Sequence, residues 1–407
     1  MYFVGVDIAK EFHVITVLGA DGKIVKKAFE VKSNIEEFKN LLWVLKDITN
    51  DKSKFTIGME VTGLLYENLY EFLSNNSYKV KLLNPYQTSR YREMITMKLV
   101  KNDNIDSLVI AKMLKSDDYS SAYVSENLYA NLKILNRDRD NLMQDLKSIK
   151  RRLQTMLNVV FPEFSRIFKD PCSISALALL EKYPTAKDYK HSSSERVLKV
   201  FRNIKGNNFN KEKAEKLLEL AKNSTYSGKD REARSLVINR YIRMIRNYQS
   251  EIDLIDKDIA SLLNPEDKEK NPQIRVFENL KTIPGVSDKT IVSILSECGD
   301  LRRFENSKKF IGYLGLYPTM NQSGNSKSVG RLAKRGSNIA KKALYLASVA
   351  SIRHNSELKQ IYQNKRSAGK SVKQALIVVA RKLALIIYSI FKNNTNYNAN
   401  RVFICST

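Results

Sequence analysis

The first 118 residues alternate short apolar runs with amphipathic stretches, and the order of these elements restricts the possible folds. Residues 2–7 are typical of a short strand that ends on an acid. Residues 12–31 predict a β-hairpin, because Asp21 and Gly22 form a favourable pair for a tight turn. Helical and strand periodicities then alternate to about residue 116, which gives the order β-β-β-α-β-α-β-α.

Three antiparallel strands followed by α/β units are typical of the RNase H-like fold, and four acids occupy informative places in that order. Asp7 ends the first strand and Glu60 ends the fourth. Asp103 and Asp106 lie three residues apart near the start of a helix, so they face one side of it. In an RNase H-like sheet the first and fourth strands are neighbours and the late helix crosses their ends. We therefore expect the four carboxylates to converge.

Converging carboxylates repel one another unless a cation neutralises them, and hard oxygen ligands select Mg²⁺ or Mn²⁺. Each acid also has a plain structural interpretation, since Asp7 could simply end a strand and helix-start acids are favoured by the helix dipole. Glu67 or Glu71 is an alternative fourth acid, although both fall in the helical pattern after the fourth strand. Together, in this fold order, the four acids favour a metal site suited to phosphodiester chemistry.

From residue 128 the pattern changes to heptads, in which apolar residues recur at alternate steps of four and three. The first seam has one charged interruption, Arg139, and ends at Phe161 and Pro162; the second seam runs through residues 238–262. We expect the two to pair as an antiparallel coiled coil, either within one chain or between two chains. The polar, basic segment at about 165–230 is helical in pattern, and its role stays open.

Residues 280–300 place an apolar-Pro-Gly-apolar turn between two helical patterns, which resembles a helix-hairpin-helix signal. Such a turn can offer backbone N–H groups at a helix N-terminus to a phosphate, so Gly285 and Lys289 are candidate nucleic-acid contacts. Basic helices follow to about residue 391. The predicted organisation is an RNase H/RuvC-like α/β domain at 1–118, a helical coiled-coil domain at 119–268, a mainly helical C-terminal domain at 269–392 and a polar tail at 393–407.

The net charge of +26 favours a polyanionic partner, with nucleic acid first. Between residues 321 and 382 the chain has 14 Lys and Arg residues and one acid, Glu357, so the charge is clustered rather than a uniform feature of a basic proteome. The three cysteines are far apart and form no CxxC pair, which favours a reducing compartment. The start lacks signal-peptide features, and no apolar run approaches the length needed to span a membrane. We expect a cytoplasmic protein with no membrane partner.

The stretch NQSGNSKSVGRLAKRG, residues 321–336, is small, polar, basic and free of acids. It is not a Walker loop, because five residues rather than four separate Gly324 from Gly330 and Arg331 follows where Lys is required. A loop along a nucleic-acid backbone is plausible, since its glycines permit close approach. The cations that would contact phosphates there are Lys327, Arg331, Lys334 and Arg335.

A reactive serine is the other interpretation of this stretch, with Ser323, Ser326 and Ser328 as candidates. Serine is a weak nucleophile that needs activation, and no histidine is nearby in the sequence. Dense cations and a bound metal could stabilise the alkoxide instead. Composition alone leaves both interpretations open.

Six motifs occur in order along the chain: VGVDIAK, GMEVTG, KNDNIDSLVIAKML, IPGVSDKTIVSILSECGD, RFENSKKFIGYLGLYP and QSGNSKSVGRLAKRGSNIAKKAL. Together they resemble the DEDD-type insertion-sequence transposases, a family that includes DNA invertases of the pilin-gene type. The resemblance covers nearly the whole chain. It implies an RNase H/RuvC-like N-terminal domain and a C-terminal transposase domain.

The same resemblance implies residue roles and partners. Asp7, Glu60, Asp103 and Asp106 would be the DEDD metal ligands. Ser323, just before Gly324, best matches the family's catalytic serine, while Ser326 and Ser328 remain alternatives. The serine would form a covalent phosphoserine link to DNA, and it would cooperate with the metal site across subunits of a dimer or tetramer. Insertion-sequence members use an element-encoded noncoding RNA that pairs with target and donor DNA, so a guide RNA is also implied.

Three functions follow as hypotheses. The first is a Mg²⁺-dependent transposase or recombinase, guided by a noncoding RNA. The second is a structure-selective nuclease of the Holliday-junction resolvase type, which needs the acids but no serine. The third is a non-enzymatic coiled-coil protein that bridges nucleic acids. All three predict salt-sensitive binding, so binding alone does not separate them.

Overall fold

The computed structural model describes residues 1–61, 63–96, 103–119, 127–202, 204, 206, 208–264, 266, 272–323 and 326–401 of the 407-residue chain, and side chains at 96, 103–104, 320–331 and 401 are outside that description. The chain divides into two compact units, Met1–Val124 (unit 1) and Ser125–Thr407 (unit 2). Unit 1 is built around a mixed sheet, and unit 2 is mainly helical. The predicted combination of an α/β region and a helical remainder is confirmed.

Unit 1 contains a five-stranded sheet with the strand order β3-β2-β1-β4-β5. β1 is antiparallel to β2 and parallel to β4, and the β2–β3 hairpin turns at Gly22, whose φ of +87° suits glycine. The elements are β1 (Tyr2–Asp7), β2 (Phe12–Gly19), β3 (Ile24–Lys32), α1 (Ile35–Ile48), β4 (Phe55–Glu60), α2 (Glu67–Asn75), β5 (Lys79–Leu83), α3 (Pro85–Thr96) and α4 (Asp103–Ser116).

Alternation along β1 assigns its side chains to two faces. Val4 and Val6 are buried in a core with residues of α1 and α2, including Leu41 and Leu73. The other face carries Phe3 and is covered by α4, whose Ile110, Met113 and Leu114 form a smaller core. The sheet is therefore a central layer with helices on both faces.

Helix α3 is absent from the predicted element order. Pro85 follows soon after β5 and opens α3, because proline suits the first turn of a helix where no N–H partner is needed. Asn84 caps this start, since its Oδ1 accepts a hydrogen bond from the Tyr86 N–H at 2.9 Å. This helix contributes two contacts to the candidate site described below.

Unit 2 is organised by two long helices, α5 (Asn127–Val160) and α9 (Arg231–Leu262), which pack antiparallel within the chain. The charged interruption of the first seam is neutralised across this pair, because Arg139 Nε lies 2.6 Å from Asp256 Oδ1. Ile238, Ile242 and Ile245 pack with the C-terminal half of α5. Short helices α6 (Ile174–Lys182), α7 (Ser194–Lys199) and α8 (Lys211–Lys222) complete this second core.

The remaining part of unit 2 packs around one long, largely buried helix. Its elements are α10 (Pro272–Lys281), α11 (Asp288–Cys298), α12 (Ser307–Leu314), β6 (Pro318–Ser323), β7 (Ser326–Leu332), α13 (Asn338–His354), α14 (Ser356–Ser367) and α15 (Val372–Asn393). α15 is long and apolar enough to cross a membrane by length and composition, contrary to the expectation that no apolar run approaches that length. Two thirds of its apolar window is buried inside this core, as expected for the central helix of a globular unit.

Candidate active site

Asp7 and Glu60 lie side by side at one edge of the sheet. β1 and β4 are parallel neighbours with Val6 opposite Met59, so the next residues along the two strands are Asp7 and Glu60. Successive side chains alternate between faces, so Asp7 shares a face with Gly5, and Glu60 shares a face with Gly58. That face is the one covered by α4.

Two glycines allow α4 to approach the sheet closely on this face. A Cβ at Gly5 would overlap the Ser107 carbonyl oxygen and the Ala111 backbone nitrogen, and a Cβ at Gly58 would overlap the Leu114 side chain. The close approach is fixed by a buried hydrogen bond between the Thr16 and Ser107 hydroxyl groups, at 2.7 Å. Glycine is required at position 5 because the helix backbone occupies the space of a side chain, and at position 58 the Leu114 side chain occupies that space.

The direction of α4 brings its first turn toward the two strand-end acids. Its C-terminal Lys115 lies beside the β2–β3 turn at Gly22, which is at the opposite end of β1 from Asp7. The N-terminal end of α4 must therefore point to the Asp7 edge. Asp103 is the first residue of α4, and its side chain is outside the described part of the chain.

Asp106, the second acid on α4, is 3% exposed and is ion-paired with a residue of α3. The distance from its Oδ1 to Arg92 Nε is 2.6 Å. One helical turn earlier on α3, the buried Thr88 hydroxyl donates a hydrogen bond to Glu60 Oε2 at 2.9 Å. One face of α3 thus contacts two of the four predicted acids.

Sequence reasoning missed Thr88 and Arg92, and the available signal was weak. Both follow Pro85 at i, i+4 spacing in a segment that was not assigned as a helix. Once residues 85–96 are assigned as a helix, Thr88 and Arg92 lie on one face of it, one turn apart. This face contacts the strand that carries Glu60 and the helix that carries Asp106.

The donor set at this edge fits a divalent cation. Asp7, Glu60 and the first turn of α4 offer carboxylate oxygens, which are the ligands that Mg²⁺ and Mn²⁺ prefer. Within the described ranges, no group of three His, Cys, Asp or Glu side chains already stands in metal-binding geometry. Asp106 faces a guanidinium instead, so a cation bound by this acid would compete with Arg92.

The predicted nucleophile lies in unit 2, in a hairpin rather than an irregular loop. β6 pairs antiparallel with β7, and Ser323 at the end of β6 is opposite Ser326 at the start of β7. Ser328 pairs with Asn321 further down the ladder, so Ser323 and Ser326 flank the turn and Ser328 does not. Gly324 and Asn325, which connect the strands, and the side chains of all three serines are outside the described residues.

The four predicted phosphate-contacting cations follow this hairpin. Lys327 and Arg331 lie on β7, and Lys334 and Arg335 are exposed in the segment that leads to α13. Arg335 is held at its backbone, because its carbonyl oxygen accepts a hydrogen bond from Lys341 Nζ at 2.8 Å. The hairpin base is therefore anchored while two cationic side chains face solvent.

The predicted phosphate-binding turn connects α10 to α11 and packs against α13. Gly285 has a φ of +83°, and a Cβ there would overlap the Ser351 backbone. Ser351 Oγ donates a hydrogen bond to the Pro284 carbonyl oxygen at 3.3 Å. Lys289 Nζ lies 2.6 Å from Asp256 Oδ2. This glycine serves close packing in the structure, and the predicted phosphate contacts of Gly285 and Lys289 remain predictions.

Two family models match the chain at the segments that carry these features. A model described as "Transposase" matches residues 4–162, and a model described as "Transposase IS116/IS110/IS902 family" matches residues 277–363. The first match includes all four acids and α3. The second includes the α10–α11 turn, the β6–β7 hairpin and the cations after it.

The chain is also similar to individual proteins, at 24–29% identity over the matched residues. The chain is 28% identical over 171 residues to the pilin gene-inverting protein of Moraxella lacunata, which covers 41% of this chain and 52% of the relative. The pilin gene-inverting protein of Moraxella bovis is 29% identical over 171 residues, with the same coverage. The insertion element IS900 uncharacterized 42 kDa protein of Mycobacterium paratuberculosis is 24% identical over 276 residues, covering 67% of this chain and 66% of the relative. The chain thus spans about half the length of the two inverting proteins.

Proposed function

The chain belongs to the IS116/IS110/IS902 family of transposases, and from this premise we propose that it cuts and rejoins DNA as the recombinase of an insertion sequence. One observation carries the proposal. Asp7 and Glu60 lie at the ends of neighbouring parallel strands, on the face where α4 begins with Asp103. The fold of a basic protein does not require acids to be grouped in this way, whereas metal-dependent phosphodiester cleavage requires carboxylates that hold a divalent cation.

The site in unit 1 is an RNase H/RuvC-like DEDD site that takes Mg²⁺ or Mn²⁺. Asp7, Glu60 and Asp103 would hold the cation, and Asp106 would join them on release from Arg92. When bound, the cation would stabilise negative charge on the attacking and leaving oxygens of the phosphodiester. Thr88 orients the Glu60 carboxylate through its hydrogen bond, and Arg92 pairs with the buried Asp106 carboxylate.

Ser323 is the proposed nucleophile in unit 2. Its Oγ loses its proton and attacks the scissile phosphorus, so that a phosphoserine ester forms. The bond from phosphorus to the oxygen of the leaving strand breaks, and this oxygen takes up a proton and becomes a hydroxyl group. Attack by another strand's hydroxyl on the phosphoserine reverses these changes, rejoins DNA and regenerates the serine. The position of Ser323 beside the hairpin turn supports this choice over Ser328, because the turn is the most accessible part of a hairpin.

The cations of the C-terminal domain would bind the DNA that this serine attacks. Lys327, Arg331, Lys334 and Arg335 would contact phosphates near the serine, and Gly285 and Lys289 would form a second contact. We further propose a guide RNA, a homo-oligomer that uses the long helices, donor and target DNA as substrates, and a cytoplasmic location. The net charge of +26 supports polyanionic partners of this kind.

The test is a cleavage assay on DNA that carries the element ends, with the flanking noncoding RNA, under Mg²⁺. Wild-type protein should cut and form a covalent adduct that survives denaturation. Asp7→Asn should abolish cutting while the protein stays folded, because neutral asparagine is a poor cation ligand. Persistent cutting in Ser323→Ala would favour the resolvase-type nuclease, and no cutting by any variant or by wild type would favour the non-enzymatic bridging protein.

A further inference from the structure

The antiparallel pair α5–α9 contains a basic groove that the proposed recombinase chemistry does not use. We propose that this groove binds a single-stranded nucleic acid through its phosphates and through stacking of a base. The groove has a volume of about 670 Å³. Its lining residues are Ser148, Arg151, Arg152, Thr155, Met156, Val159, Arg234 and Tyr241.

The charge of the groove is the first argument. Arg151, Arg152 and Arg234 line it, and none of the lining residues is acidic. Other arginines of α9 are neutralised nearby, since Arg231 lies 3.2 Å from Asp188 and Arg246 lies 2.7 Å from Glu181. No ion pair within 4.0 Å joins the three groove arginines to an acid among the residues that the structure describes. Their charge is therefore available to an anion from outside.

The burial of one guanidinium atom is the second argument. Arg234 Nη1 is removed from solvent, yet it finds no hydrogen-bond partner in the described part of the chain. A buried charged donor without an acceptor costs free energy, whereas a solvated basic face has no such atom. A phosphate oxygen in the groove would supply the missing acceptor and form a charge-assisted hydrogen bond.

The shape and chemistry of the lining favour a single strand. Ser148 and Val159 are 11 residues apart on α5, so the groove extends for about 16 Å at 1.5 Å per residue, enough for roughly four or five base steps of 3.4 Å. Tyr241 is half-buried beside the arginines, and Met156 and Val159 add apolar surface. A positive groove with an aromatic side chain is the usual way to bind single strands, because every base has a face that can stack.

The test measures binding of the full chain to 20-nucleotide single-stranded RNA and DNA by fluorescence anisotropy, in EDTA so that no strand is cut. The variants are Arg151→Gln with Arg234→Gln, Tyr241→Ala and Tyr241→Phe. Arg243→Gln is the matched control, because Arg243 is exposed on the same helix and lies about 180° around the axis from Arg234.

The double arginine variant should flatten the slope of log affinity against log salt by about 1.4, or about 0.7 for each lost phosphate contact. Tyr241→Ala should weaken binding at least about fivefold, while Tyr241→Phe, which keeps the ring, should bind like wild type. Thermal unfolding by circular dichroism checks that the variants fold. Of single-stranded RNA and DNA, the one whose affinity falls more in the groove variants is the ligand of the groove.

Equal affinity and equal salt slope for the double arginine variant and Arg243→Gln would overturn the proposal and make the groove a solvated basic face. The groove and the active site can fail separately. Asp7→Asn removes the acid that cleavage requires, so groove-dependent binding in that variant tests the groove alone. If Asp7→Asn abolishes cleavage but the groove variants bind nucleic acid like wild type, the proposed recombinase function stands and only the proposed groove is rejected.

Discussion

The ion pair between Arg92 and Asp106 makes a quantitative prediction about unit 1. Replacing Arg92 by alanine leaves a carboxylate that is 3% exposed without the guanidinium that lies 2.6 Å away. Breaking a buried pair from one side typically costs about 3–5 kcal/mol, because the remaining charge stays desolvated. Arg92 itself is 21% exposed, so water screens part of the interaction and the lower end, about 3 kcal/mol, is expected.

Urea unfolding measures this loss directly. The midpoint of Arg92→Ala should decrease while the slope m stays unchanged, since the surface exposed on unfolding is the same. The melting temperature should fall by on the order of 10 °C for a unit of this size. Trp43, the single tryptophan, lies in α1 of unit 1, so its fluorescence reports that unit separately from the helical one.

A second substitution provides the control. Adding Asp106→Asn to Arg92→Ala removes the unpaired charge and should recover most of the lost stability. Mg²⁺ or Mn²⁺ should raise the midpoint of Arg92→Ala more than that of wild type, because the freed carboxylate can then ligate the cation. A loss below about 1 kcal/mol, or a double variant no more stable than the single one, would refute the assignment of Arg92 as the counter-charge of Asp106.

Three further predictions concern the same unit. In single-turnover kinetics, Thr88→Val should lower the cleavage rate, because Glu60 loses the hydroxyl donor that lies 2.9 Å away, whereas Thr88→Ser should retain the wild-type rate. Equal cleavage rates for Thr88→Val and wild type would show that Thr88 has no part in the site. Gly5→Ala should prevent folding or cost more than about 3 kcal/mol, because a Cβ there meets the α4 backbone, and a soluble variant with wild-type melting would contradict this packing. Burial lowers the pKa of His13, so the unfolded chain binds a proton that the folded chain resists, and stability should fall below about pH 6.5 by at most about 1.4 kcal/mol per pH unit. His13→Gln should flatten that dependence in urea unfolding, and an unchanged profile would exclude His13 as its source.

Much of unit 1 was predictable from local patterns. The strand bearing Asp7 and the strand bearing Glu60 are short apolar runs, and Asp21 with Gly22 marks the hairpin turn, so periodicity and turn chemistry agree there. The ion pair between α3 and Asp106 was not predictable from these patterns. Pro85 both ends a strand and starts a helix, and single-residue signals do not distinguish the two.

In unit 2, the sequence predicted the two heptad seams and their pairing, but not the residue that pairs with Arg139. The Arg139 interruption was an unexplained defect in a heptad until the structure brought Asp256 within 2.6 Å, a contact between residues 117 positions apart in the sequence. The β6–β7 hairpin was missed for a different reason. Its strands contain Pro318, Asn321, Lys327 and Gly330, residue types of low strand propensity, so their pairing depends on the tertiary context rather than on the sequence pattern.

We propose that acids of unit 1 and a serine of unit 2 are both required to break a DNA strand. The most direct test of this proposal is denaturing electrophoresis of the reaction of end-labelled element DNA with wild-type protein, Asp7→Asn and Ser323→Ala, in the presence of Mg²⁺ and the flanking RNA. We expect a protein-linked DNA band for wild type that disappears in both variants, with both variants still folded and still binding DNA. A protein-linked band that persists in Ser323→Ala, or cut DNA in Asp7→Asn, would contradict the proposal.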